Sequence, residues 1–80
     1  DSILIQVGAF TDIRNAGLLI DKLSDFKAYI QREFIREKYF YRVRIGPFSE
    51  ISFSEKIINK LNSLGFSKSK IIMDKIKWLF

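Results

Sequence analysis

Eighty residues with a net charge of +5, from 14 Lys and Arg against 9 Asp and Glu, are enough for one small domain and too few for two. Hydrophobic residues make up 48% and charged residues 29%, which sets aside a disordered tail, and no apolar run approaches the ~18 residues of a transmembrane helix. Cys and His are both absent, which excludes a disulfide framework, a thiolate zinc site and Ser-His or Cys-His catalysis. The basic balance favours an anionic partner: nucleic acid, an anionic lipid surface or an acidic glycan. The sequence starts without Met and carries no signal peptide, as expected of a domain cut from a longer protein.

Ile3-Leu4-Ile5-Gln6-Val7 is short, β-branched and closed by Gly8, which predicts a strand. Alternation places Ile3, Ile5 and Val7 on one face and Leu4 and Gln6 on the other. Thr11 and Asp12 are both good helix N-caps. Ile13, Ala16, Ile20 and Leu23 then recur at spacings of three and four, the apolar stripe of a helix running to about Leu23. Gly17 inside that helix costs up to ~1 kcal/mol relative to Ala and is expected to mark close packing on the sheet. Residues 27–37 carry Tyr29, Ile30, Phe34 and Ile35 among charges, a second strand whose imperfect alternation predicts a bulge. In Tyr39-Phe40-Tyr41-Arg42-Val43-Arg44-Ile45 the alternation is cleaner: Tyr41, Val43 and Ile45 share one face, and Phe40, Arg42 and Arg44 the other. Gly46-Pro47 is expected to end this third strand, because proline cannot donate to the ladder.

A second helix opens at Ser52, with Glu55 in the capping-box position, and Phe53, Ile57, Leu61 and Leu64 form its stripe. Gly65 is placed as the left-handed residue beyond its end, with Phe66 as the hydrophobic contact. Lys70-Ile71-Ile72-Met73 predicts a fourth strand, and residues 74–80 form an apolar tail in which Trp78 is expected to pack. Val7-Gly8-Ala9-Phe10 and Ile45-Gly46-Pro47-Phe48 are one strand ending used twice, and at the same offset Ile13 falls on Ile51, Ile20 on Ile58 and Leu23 on Leu61. Two strand-helix-strand units in tandem predict an α+β fold of order β-α-β-β-α-β, a four-stranded antiparallel sheet with two helices on one face. In that topology the first and third strands are the central pair. The helices would bury Ile3, Ile5, Val7, Tyr41, Val43 and Ile45, and the open face would display Leu4, Gln6, Phe40, Arg42 and Arg44 side by side. An exposed ring between cations on a flat sheet points to a partner.

Catalytic chemistry is not indicated. Asp12 and Glu50 sit at helix starts, where the dipole and the orphan amides favour acids. Ser52 and Ser54 lack a base, and Gly8 to Phe10 is no phosphate loop. No catalytic constellation, metal site or cofactor site is expected.

The paired segments Ile5-Gln6-Val7-Gly8-Ala9-Phe10 and Tyr41-Arg42-Val43-Arg44-Ile45-Gly46-Pro47-Phe48, each followed by a helix, with Leu64-Gly65-Phe66 closing the second, resemble the SPOR domain (the sporulation-related repeat). The resemblance covers about residues 2–73. It implies an RNP-like fold in a bacterial envelope protein, outside the cytoplasmic membrane. It also implies a monomeric, non-catalytic module that binds peptidoglycan glycan strands stripped of their stem peptides and takes its parent protein to the division septum. The implied glycan contacts are Gln6 in the first strand, Phe40 and Arg42 around the third, and Ile71 in the last. Ala9 stands where the family often has serine, and Phe40 where it often has tryptophan.

The residues suit such a ligand. A denuded strand carries a lactyl carboxylate on every second sugar, which Arg42 with Arg44 can meet with paired donors. Each such contact contributes ~1.5–3 kcal/mol when desolvated and less on an open face. Gln6 can donate to and accept from an acetamide or hydroxyl. Phe40 and Leu4 can cover the apolar face of a sugar ring. A stem peptide would turn the carboxylate into an amide and add bulk. Two other readings share the topology. An RNA-recognition domain usually carries two or three stacking aromatics and a glycine-rich third strand, whereas this third strand offers Phe40 alone on its open face. A protein-interaction module would pair through a sheet edge or the apolar tail from Ile76.

Overall fold

The chain runs β1 (Ser2–Phe10), α1 (Ile13–Lys22), a 3-10 turn (Ser24–Phe26), β2 (Tyr29–Ile35), β3 (Lys38–Phe48), α2 (Ile51–Ser63) and β4 (Lys70–Asp74), in a computed structural model that describes residues 1–76. The strands form one antiparallel sheet of order β2-β3-β1-β4, so β1 and β3 are the central pair the topology predicted. Ile5, Val7, Val43 and Ile45 meet Ala16, Leu23 and Leu61 in the buried core, and Tyr41, Ile30 and Ile71 pack against it from the same side of the sheet. Trp78 lies outside the described residues.

Local chemistry accounts for the element ends. Asp12 has extended backbone and its carboxylate accepts from the Arg14 amide at 2.9 Å, so it is the N-cap of α1. Arg14 also hydrogen-bonds that carboxylate through its guanidinium, at 2.8 Å, which holds the Asp12 carboxyl below the usual carboxylate range. The end of α2 is the predicted glycine stop. Gly65 has φ +98°, the Phe66 amide donates to Leu61 O and the Gly65 amide to Asn62 O. These bonds help satisfy the carbonyls of the last helical turn.

Five local expectations are corrected. First, β3 does not stop at Gly46-Pro47. It runs to Phe48, which pairs with Ile3 while Ile45 pairs with Ile5, and the extra residue is taken up as a bulge, where proline is tolerated. Second, β2 is regular along its whole pairing with β3. The bulges lie between β1 and β3, at Ile3/Ile5 and at Gln6/Gly8. Third, no capping box forms. The N-cap of α2 is Glu50, which puts Ser52 one residue inside the helix, where its hydroxyl donates to Glu50 Oε2 at 3.4 Å. Fourth, the buried stripe differs from the expected one. Ser54, Ile57, Ile58 and Leu61 face inward, and Phe53 and Leu64 are exposed. Ser54 is buried with its hydroxyl donating to Ile51 O at 2.6 Å. Fifth, Gly17 faces open space. The glycine at a close approach is Gly8, where a Cβ would stand 3.0 Å from Leu19 Cδ2.

Candidate functional site

Cross-strand partners share a face of the sheet, so the register identifies the open side. Gln6 pairs with Arg44 and with Lys70, Ala9 with Arg42, Gln31 with Arg42, Glu33 with Phe40 and Leu4 with Ile72. The bulge at Gln6/Gly8 does essential work here. It turns Gly8 toward α1 and leaves Ala9 exposed on the open side, beside Arg42.

The two arginines of β3 have different circumstances. Arg44 is 4% exposed. Its Nε and Nη2 both donate to Gln6 Oε1, at 3.1 and 3.0 Å, and its Nη1 donates to Asp74 Oδ2 at 2.9 Å. Those bonds fix the Gln6 amide with its oxygen toward Arg44, so Gln6 turns its NH2 group, a pure donor, to any ligand. Burial beside this pair pushes the Tyr29 phenol up, against the pull of the Arg44 charge. Arg42 lies over the Phe40 ring, 5.7 Å from its centroid. Its Nη1 is 3.4 Å from Glu33 Oε1, an ion pair without hydrogen-bond geometry, so this donor is desolvated and hydrogen-bonded to nothing among the described residues. The Oε1 of its neighbour Gln31 is buried in the same condition.

Two depressions flank this centre. One, of about 390 Å³, is lined by Ile35, Arg36, Lys38, Phe40 and Arg42. The other, of about 330 Å³, is lined by Gln6, Val7, Gly8, Ala9, Phe10, Lys68 and Lys70. Arg42 and Ala9, one lining residue of each, are cross-strand partners.

Of the residues expected on this face, Gln6, Ala9, Phe40 and Arg42 are brought together there, and Arg44 lies beneath them. Leu4 and Ile71 are not available. Leu4 is fully buried. The bulge leaves it beside Gly46, whose missing side chain makes room for it: a Cβ there would stand 3.0 Å from Leu4 Cδ2. Ile71 pairs with Ile5 and packs on the helix side of the sheet. The open-face position of β4 belongs to Ile72, opposite Leu4. Two adjacent isoleucines leave strand parity undecided until the pairing is known. Sequence reasoning also missed Gln31, Glu33, Lys68 and Lys70. The first two follow from β2 parity once Ile30 is recognised as its core residue, and Lys70 follows from its pairing with Gln6.

The SPOR domain family model matches residues 2–72. The chain is similar to the crystal structure of the RlpA SPOR domain from Pseudomonas aeruginosa, with a TM-score of 0.81 and 23% sequence identity over 90% of this chain and 99% of that one. No curated protein matches.

Proposed function

The chain belongs to the SPOR domain family, a family of peptidoglycan-binding modules, and on that premise we propose that its open sheet face binds glycan strands that have lost their stem peptides. One observation carries this reading: the partly exposed Arg42 guanidinium, set over the Phe40 ring, lines a depression on the central strand together with Phe40, Arg36 and Lys38. Arg42 meets the lactyl carboxylate, which exists as a free anion only after the peptide is removed. Phe40 covers the apolar face of the adjoining sugar. Gln6, its oxygen held by Arg44, donates to an acetamide or hydroxyl oxygen. The module has no catalytic role, acts as a monomer, and directs its parent protein to the division septum of the bacterial envelope.

The test is co-sedimentation with purified sacculi before and after amidase treatment, beside a single-stranded RNA control. Binding is expected to rise after amidase treatment. Arg42→Ala should weaken it about tenfold, the value of one charge-assisted contact, and Gln6→Ala less. Tight, salt-sensitive RNA binding with no retention on either sacculus preparation would overturn the reading.

A further inference from the structure

The geometry points to a second anion subsite formed by Lys68 and Lys70, which takes the next lactyl carboxylate along the same denuded strand; this rests on the glycan reading above and deepens it. Lys70 opens β4 and pairs with Gln6, so it stands on the open face, and Lys68 lies in the turn just before it. With Gln6 and the backbone from Val7 to Phe10 they line a depression of about 330 Å³. This depression is separate from the one beside Arg42 and Phe40, and its lining residue Ala9 is the cross-strand partner of Arg42, which lines the other. Ala9 is exposed and small, so at that position only a methyl group stands between them.

Among the described residues, no carboxylate pairs with the charges in this depression. The ion pairs among those residues are Arg14–Asp12, Arg42–Glu33 and Arg44–Asp74, and neither Lys68 nor Lys70 is in one with a described residue. Its lining contains no acid either. Lys70 stands two strand spacings across the sheet from Arg44, and Arg42 lies two residues further along β3, a diagonal of ~12 Å between the backbones that these long side chains can shorten. A rigid strand with an anion on alternate sugars can therefore place successive carboxylates at Arg42 and at the lysines. A flexible ammonium pair suits an anion whose exact position varies with the twist of the glycan. The two cationic points together would select a repeating anionic chain over an isolated sugar acid.

Labelled denuded glycan of one disaccharide repeat and of three repeats, with a chitin oligosaccharide of matching length as the carboxylate-free probe, would be titrated against the domain. Native protein should bind the three-repeat glycan on the order of fivefold to tenfold more tightly than the single repeat, as one exposed charge-assisted contact allows, and chitin should show no such gain. Lys68→Gln/Lys70→Gln should remove the gain, leave single-repeat binding unchanged and leave the melting temperature unchanged. Full retention of the gain in the double variant would overturn the subsite while leaving the Arg42 site standing. Failure of the native protein to bind any denuded glycan would overturn the glycan reading itself.

Discussion

Arg42 and Arg44 differ by two positions and share one face of one strand, yet physical chemistry separates their roles. Arg44 sits where β1, β3 and β4 converge, so its donors close on Gln6 and Asp74. Arg42 sits two residues nearer the β2–β3 turn, beyond the last pairing of β4 with β1, where its neighbours are a ring and a carboxylate that only partly engages it. Replacing Arg44 by Ala removes both donors to the Gln6 oxygen and the ion pair to Asp74, and should cost about 2 kcal/mol of unfolding free energy in a urea titration. It should also weaken glycan binding, because Gln6 loses its fixed orientation. Arg42→Ala should weaken binding with little change in the urea midpoint. Equal loss of stability in the two variants would show that the division of labour is wrong.

At the scale of elements, the repeated endings Val7-Gly8-Ala9-Phe10 and Ile45-Gly46-Pro47-Phe48 do related work by different means. Both lie at a bulge, and Phe10 and Phe48 both pack against the core. Only Gly46 needs the left-handed region, at φ +134°, and a Cβ there would also stand 3.1 Å from Ile3 O. Gly46→Ala should therefore destabilise by ~2–3 kcal/mol through backbone strain and overpacking. Gly17→Ala should stabilise by up to ~1 kcal/mol, because the helix gains propensity and the new methyl meets nothing within 4 Å. Thermal melts of the two variants check both signs. The β2–β3 hairpin shows the same economy. Arg36 and Glu37 both take positive φ, at 50° and 66°, a two-residue turn made without glycine. Phe34 stacks against Tyr39 at 4.8 Å with Arg32 over the Tyr39 ring at 4.7 Å, a cross-strand cluster that offsets the strain of the turn.

At the scale of the whole molecule, charge and topology act together. The net charge of +5 includes a band of cations across one end of the open face, from Arg36 and Lys38 through Arg42 to Lys68 and Lys70. An anionic strand laid along that band meets exposed cations, whose attraction salt screens strongly. Retention on amidase-treated sacculi should therefore fall steadily as NaCl rises from ~50 to ~500 mM, across which the Debye length shortens severalfold. Salt-independent retention would instead assign the binding to Phe40 and its apolar surroundings.

The amino-acid sequence by itself determined the element order, the central pairing of the first and third strands, and the face shared by Gln6, Phe40, Arg42 and Arg44. Those follow from local periodicity, glycine stops and an internal repeat, all of which are written in neighbouring residues. It also carried the family, through the paired strand endings. Tertiary structure alone decided which of those side chains a ligand can reach. Leu4 obeys the alternation and is still buried, because a bulge on the neighbouring strand makes room for it. Ile71 and Ile72 exchange roles according to a pairing register that two consecutive isoleucines cannot specify. Arg44 is consumed by partners 38 and 30 residues away in the chain, and Lys70 joins the open face only through its pairing with Gln6. Accessibility, hydrogen-bond satisfaction and register depend on contacts between distant segments, and these exist only once the chain has closed on itself.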